Sequence, residues 1–176
     1  MKEIMKDGNL TRDEIKGEVE RFRERMREGN GTIEVEGRRV NLRALDDKRI
    51  EMIIGKISAK TGLNLTSDDI GNGTIGSILR AYLSNGRYAE VKVMPNTASQ
   101  RALERLRAKC DDRNCSVELK EVRENGDDLN ESDGNRTKLV YEIKTNKKAK
   151  ILWLFKKSMM VEAQVDAETG EVIKAH

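Results

Sequence analysis

Apolar positions recur along this chain at two spacings, and the spacing switches more than once. Over residues 11–28 they fall four, three and four apart at Ile15, Val19, Phe22 and Met26, one stripe of a helix. Thr11 and Glu14 form a capping box ahead of that stripe, and Gly29 supplies its stop. The Arg and Glu residues between the apolar positions read as a solvated face. From residue 31 to 94 the period shortens to two. Ile33 and Val35 face Val40 and Leu42 across the Glu36-Gly37 turn. The alternation continues through Ile50, Met52 and Ile54, then Ile57 and Ala59, then Leu63 and Leu65. Leu79, Ala81 and Leu83 lead into Asn85-Gly86, a type I′ hairpin signal, and Ala89, Val91 and Val93 return. This stretch predicts a β-meander.

Helical spacing comes back over residues 97–109, with Thr97 and Gln100 as a capping box and Ala102, Leu103 and Leu106 as the apolar face. Strands are predicted near 115–123, 137–145, 148–155 and 158–166. The turn Ala167-Glu168-Thr169-Gly170 and a short strand Glu171–Lys174 close the chain. The polar tract Glu124–Arg136 predicts a mobile loop. The sum is an α+β fold of mainly antiparallel β-sheet, with one packed helix and an N-terminal helix. It divides into a helical segment at 1–30, a β-meander at 31–95 and a helix-plus-sheet region at 96–176.

Composition alters this picture in two ways. One Trp, three Tyr and two Phe leave the core to aliphatic residues and Met. The net charge of +3 is the difference between 34 basic and 31 acidic residues, a mixed surface that points to neither nucleic acid nor an anionic membrane. No apolar run reaches the roughly 18 residues of a membrane span. Met1–Leu10 contains no leader-like apolar stretch, so an exported form would carry its leader ahead of Met1.

Export is suggested by glycosylation triplets. Asn-x-Ser/Thr occurs at Asn9, Asn30, Asn64, Asn72, Asn114, Asn130 and Asn135, where chance gives roughly one. The competing account is that Asn, Gly, Ser and Thr gather in turns for conformational reasons. The two cysteines fit an oxidising compartment. Cys110 and Cys115 are close enough to close a short disulfide loop between a helix end and the next strand, with two buried free thiols as the alternative. Two thiolates and the single terminal His176 cannot fill a tetrahedral zinc site.

Other motifs weigh less once their context is considered. Gly71-Asn72-Gly73-Thr74-Ile75-Gly76 spells the dinucleotide fingerprint, yet Ser77–Leu83 is too short for the required helix and runs directly into a hairpin. Asp127, Asp128, Asn130, Ser132 and Asp133 crowd one loop with oxygen atoms, but not at calcium-loop spacing. Lys147, Lys148, Lys150, Lys156 and Lys157 flank Trp153 and Phe155, a combination able to bind single strands. The alternation instead puts Ile151, Trp153 and Phe155 on one core-facing side of a strand, with the lysines guarding its ends. Trp153 is thus expected in the core. No nucleophile–base pair is visible, and Asp68/Asp69 and Asp111/Asp112 sit in polar turns. No catalytic residue, metal or cofactor is expected.

The stretches Leu83–Ser99, Val117–Val122 and Val165-Asp166-Ala167-Glu168-Thr169-Gly170-Glu171-Val172-Ile173 resemble recurring segments of uncharacterised exported archaeal and bacterial proteins. The likeness spans residues 83–176. It implies a further Lys-Pro-Trp-Trp segment after the last strand, where this chain stops at His176. Helix, strands and the Val-Asp-Ala-x-Thr-Gly-x-Val turn also resemble the PepSY domain, which implies an inhibitory or binding role outside the cytoplasm. No functional residue carries over. The expectation is an extracellular or cell-surface module that binds a protein or peptide. Its rivals are a structural subunit assembling by strand exchange and a carboxylate-based enzyme.

Overall fold

The computed structural model describes residues 11–27, 31–35, 37–46, 48–69, 77–110, 115–124, 136–151 and 155–176. It is an α+β fold of two helices and a mostly antiparallel sheet. Helix α1 (Arg12–Arg27) starts where its capping box requires. The Thr11 N–H donates to Glu14 Oε2 at 2.8 Å, and the Glu14 N–H donates back to Thr11 Oγ1 at 3.4 Å. Val19, Phe22 and Met26 are buried, and Ile15 is half-buried.

Four strands come next as an antiparallel meander: β1 (Thr32–Val35), β2 (Arg38–Ala44), β3 (Ile50–Ile54) and β4 (Ile57–Thr61). The predicted meander then divides. Strands β5 (Asn64–Asp69), β6 (Ser77–Tyr82) and β7 (Tyr88–Glu90) form a separate three-stranded antiparallel sheet. After helix α2 (Pro95–Leu106) the chain returns as β8 (Cys115–Glu124), which lies parallel to β4 through Lys60 and Glu118. Strands β9 (Arg136–Ile151), β10 (Phe155–Asp166) and β11 (Val172–Ala175) complete an eight-stranded sheet ordered β1-β2-β3-β4-β8-β9-β10-β11.

Three local expectations are corrected. Helix α2 begins at Pro95 and not at Thr97, because proline at the first helical position is already set to helical φ. The proposed Thr97 cap does not form, and Thr97 Oγ1 instead accepts from the Arg38 guanidinium at 2.9 Å. The β6–β7 connection is not a type I′ turn, since Asn85 lacks the positive φ that type requires. The Gly86 N–H donates to Leu83 O at 3.1 Å, Leu83 N–H donates to Arg87 O at 2.8 Å, and only Gly86 takes positive φ. This is the longer hairpin loop with a glycine bulge. Finally, the strands expected at 137–145 and 148–155 do not end and restart there. β9 runs unbroken to Ile151, which lies opposite Phe155 of β10. Ile151 and Phe155 are therefore cross-strand partners and not neighbours along one strand. Trp153 lies outside the described residues, as do 71–76 and the acidic tract 125–135.

One continuous core joins both sheets and both helices. Val40, Ile50, Met52, Leu119, Tyr141, Ile143 and Val165 cover the inner face of the large sheet. Phe22 and Met26 of α1, Leu65 and Leu79 of the small sheet, and Ala98, Ala102 and Leu106 of α2 close over it. The turn after β10 locks these parts together. Asp166 is buried, and its Oδ1 accepts from the N–H groups of Glu168 and Thr169 at 2.8 and 2.9 Å. Gly170 takes φ +75, and its carbonyl accepts from the Arg101 guanidinium of α2 at 2.7 Å. The Ala167 carbonyl receives the N–H groups of Lys92 and Val93, which bring the chain out of the small sheet. Asp166→Ala should therefore cost about 1.5–3 kcal/mol, the range for hydrogen bonds to a charged group. Asp166→Asn, which keeps an acceptor oxygen, should cost clearly less. Denaturant titration of the two variants checks this.

Candidate functional site

Two surfaces stand apart from the packed interior. The first is a groove beside α2. Pro95, Ala98, Ser99, Ala102 and Leu106 are the buried residues of this helix, so Ser99 is the one hydroxyl set among its core contacts. The adjoining stripe runs from Asn96 through Leu103 to Arg107 and Ala108. With Ile57, at the start of β4, it borders an open cavity of about 450 Å³. Asn96 and Ser99 are among its lining residues, while Asn96 Oδ1 and Ser99 Oγ themselves are closed off from solvent and have no hydrogen-bond partner. At the rim the Gln100 amide donates to Glu104 Oε1 at 3.1 Å. Arg107 closes the helix in the left-handed region at φ 49, and it is the one non-glycine residue with positive φ among the described residues.

The C-terminal end of α2 is held from below. The Lys147 ammonium donates to Leu106 O at 3.0 Å, and Thr145 Oγ1 donates to Lys109 O at 3.1 Å. The first satisfies a carbonyl that the helix leaves open, and the second a carbonyl of the segment leaving it. The Cys110–Cys115 disulfide, with Cα atoms 5.2 Å apart, then ties the helix exit to the first residue of β8. The predicted pairing is present.

The second surface is the free edge of β10. Strand β11 pairs with β10 from Ala163 onward, and Glu162 exchanges both main-chain hydrogen bonds with His176 at 2.8 and 2.9 Å. Among the described residues no strand pairs with the outer side of β10 over 155–161. Because Glu162 directs its N–H and C=O outward, alternation gives the same direction to Lys156, Ser158 and Met160. The odd positions face β9. On the other side, β8 covers β9 only as far as Thr145. Among the described residues, 146–151 and 155–161 thus extend as a two-stranded ribbon past the strands that pair with either side. Lys144, Lys147, Lys148, Lys150, Lys156 and Lys157 fall between Glu142 and Glu162 with no acidic residue among them. Met160 is 73 % exposed and Met159 50 %.

Two buried carboxylates of the outer sheet face, Glu51 and Glu142, are held by cations. Glu51 accepts from Arg43 at 2.5 Å. Glu142 accepts from Lys144 at 2.6 Å and also from Lys120. Partial burial works to raise the Glu142 pKa, but the hydrogen bonds and charges of Lys120 and Lys144 outweigh it and hold the carboxyl down to about 2. A carboxylate so fixed is an anion throughout the working range and not a proton donor. Burial pushes the Tyr141 hydroxyl upward, and that hydroxyl has no partner. Among the described residues no three His, Cys, Asp or Glu side chains gather as a metal site.

Of the seven glycosylation asparagines, Asn64 is described. It is exposed at the start of β5, where Oδ1 accepts from the Arg23 guanidinium at 3.2 Å. Asn9, Asn30, Asn72, Asn114, Asn130 and Asn135 lie outside the described residues. Sequence reasoning missed Asn96 and Ser99. The available signal was a serine set between Ala98 and Ala102 in the apolar face of a helix. No family model matches the chain, and neither the curated proteins nor the solved structures contain a match.

The folded-state pKa of Glu142 lies below its ordinary 4.5, so its ionised form contributes stability above that value. The contribution is lost as pH falls from about 4.5 towards 2. Urea titrations from pH 6 to pH 2 should therefore show a steeper acid loss in the parent than in Glu142→Gln. Opening the short disulfide loop through Cys110→Ser and Cys115→Ser should lower stability by about 2 kcal/mol on loop entropy. Alkylation of the parent before reduction should label neither thiol.

Proposed function

We propose that this protein is an extracytoplasmic, non-catalytic module that binds a protein or peptide by accepting an extended segment along the free edge of β10. The observation that carries this reading is the outer side of β10 over 155–161, which pairs with no strand among the described residues, although the next residues of the same strand pair with β11. A sheet edge offers main-chain donors and acceptors at strand spacing, and an incoming strand satisfies them. The lysines of the ribbon add selectivity. The excess of lysine in the sequence of this ribbon disfavours pairing with a second copy of the same edge, and hence strand exchange, and favours a segment rich in Asp and Glu.

Location outside the cytoplasm is supported by the Cys110–Cys115 disulfide, by the seven glycosylation triplets and by the exposure of Asn64. The resemblance of the helix, strands and Val-Asp-Ala-x-Thr-Gly-x-Val turn within residues 96–176 to the PepSY domain supports binding over turnover. So does the state of Glu51 and Glu142, each neutralised in place by a neighbouring cation.

Proline scanning of β10 tests the edge directly. Ser158→Pro and Met160→Pro each remove an outward N–H while sparing the bonds to β9. Either should weaken binding of a partner purified from the source envelope about tenfold, as loss of a main-chain bond and local fit implies. Thermal unfolding should change little. Undiminished binding by both variants would refute edge addition.

A further inference from the structure

We infer that the far end of the β9–β10 ribbon, where Ile151 pairs with Phe155, docks on the surface of an anionic lipid bilayer. The inference goes beyond the peptide-binding reading and does not rest on it. Edge addition uses the outward main chain of β10, whereas docking uses the end of the ribbon and the lysines placed on one of its faces.

The pairing register sorts the ribbon into two faces, because residues directly opposite each other share a face. One face carries Lys148 opposite Ser158 and Lys150 opposite Lys156, and it continues the outer face of the large sheet through Lys144 and Glu162. The other carries Ala149 opposite Lys157 and Ile151 opposite Phe155, and it continues the apolar inner face through Ile143 and Ala163. From the Thr145–Val161 pair to the Ile151–Phe155 pair the ribbon advances about 20 Å at strand spacing. Met159 and Met160 fall on opposite faces and are both exposed, so the described residues cover neither face there.

Sequence and register together select the partner. Ile151-Leu152-Trp153-Leu154-Phe155 is the longest unbroken apolar run of the chain. Its first and last residues stand side by side, past the last residues that β8 and β11 pair with. The net charge of +3 for the whole chain hides a local excess, since every charged residue between Glu142 and Glu162 is a lysine. Lys150 lies directly opposite Lys156, and like charges so placed destabilise a sheet. A negatively charged surface relieves that repulsion. An acidic peptide or a nucleic acid would engage the lysines but leave the apolar run in water. A bilayer surface takes both, because its anionic headgroups meet the lysines and the interface beneath them accepts apolar and aromatic residues.

Flotation of the full chain with vesicles tests the inference, using phosphatidylcholine alone and phosphatidylcholine mixed with phosphatidylglycerol. Trp153 is the only tryptophan of the chain and lies midway in sequence between Ile151 and Phe155, so its emission reports on this end of the ribbon. Flotation with the anionic vesicles alone is expected, weakened by salt and accompanied by a blue shift of that emission. Lys150→Gln combined with Lys156→Gln should weaken vesicle binding about thirtyfold, the share of two basic residues at an anionic surface, while the melting temperature holds or rises. Phe155→Ser should weaken binding about tenfold and shrink the blue shift, as loss of a buried aromatic ring implies. Equal flotation with both kinds of vesicle, flotation without a blue shift, or indifference to the lysine substitutions would overturn the inference. So would a single-stranded oligonucleotide that binds more tightly than the vesicles and depends on the same two lysines.

Discussion

The Asp166 carboxylate, turned back on its own main chain, is the contact on which the arrangement of the second half depends. By accepting from two successive N–H groups it folds residues 166–170 into a tight loop, and Gly170 completes the loop with a φ that other residues avoid. The loop then exposes its own carbonyls in fixed directions. Thr169 and Gly170 take the guanidinium of Arg101, and Ala167 takes the chain leaving β7. The Ala167 N–H meanwhile reaches Leu139 O in β9. One short turn thus sets where α2 lies, where the small sheet rejoins and how β11 is aimed. The Val-Asp-Ala-Glu-Thr-Gly segment has a structural reason to be spelled as it is, with no ligand involved.

The two faces of the large sheet divide their work. The inner face is aliphatic, and its bulk comes from Ile, Val, Leu and Met with a single buried tyrosine. The outer face carries a row that crosses seven strands in register: Arg43, Glu51, Lys60, Glu118, Glu142, Gln164 and Lys174. Opposite charges stand side by side over much of that row, with Lys120 and Lys144 closing on Glu142. Cross-strand pairs of this kind stabilise a sheet modestly, but they leave few charges free for a partner. The broad face is satisfied internally. The outer side of β10 differs from that face, because among the described residues its main-chain donors and acceptors over 155–161 meet no neighbouring strand.

Elements whose signals act within a few residues are legible before any folding partner is known. The Thr11–Glu14 box and its apolar stripe specify α1, because the groups involved lie three and four residues apart on a single helix. Period-two alternation marks the strands, and a five-residue separation is short enough for Cys110 and Cys115 to meet. Tertiary structure decided everything that depends on a strand's choice of neighbour. Alternation over 57–65 reads the same whether the next strand stays in the sheet or leaves it, and the departure of β5 at Asn64 has no local marker. The parallel approach of β8 to β4 joins residues far apart in the chain. The length of β9 came from pairing with β10 up to Ile151, which overrode the run of lysines that looked like a strand end. The free edge and the groove are likewise products of assembly. An edge exists only because a neighbour stops short, and Asn96 Oδ1 and Ser99 Oγ are orphaned because the fold closes them off where no partner arrives.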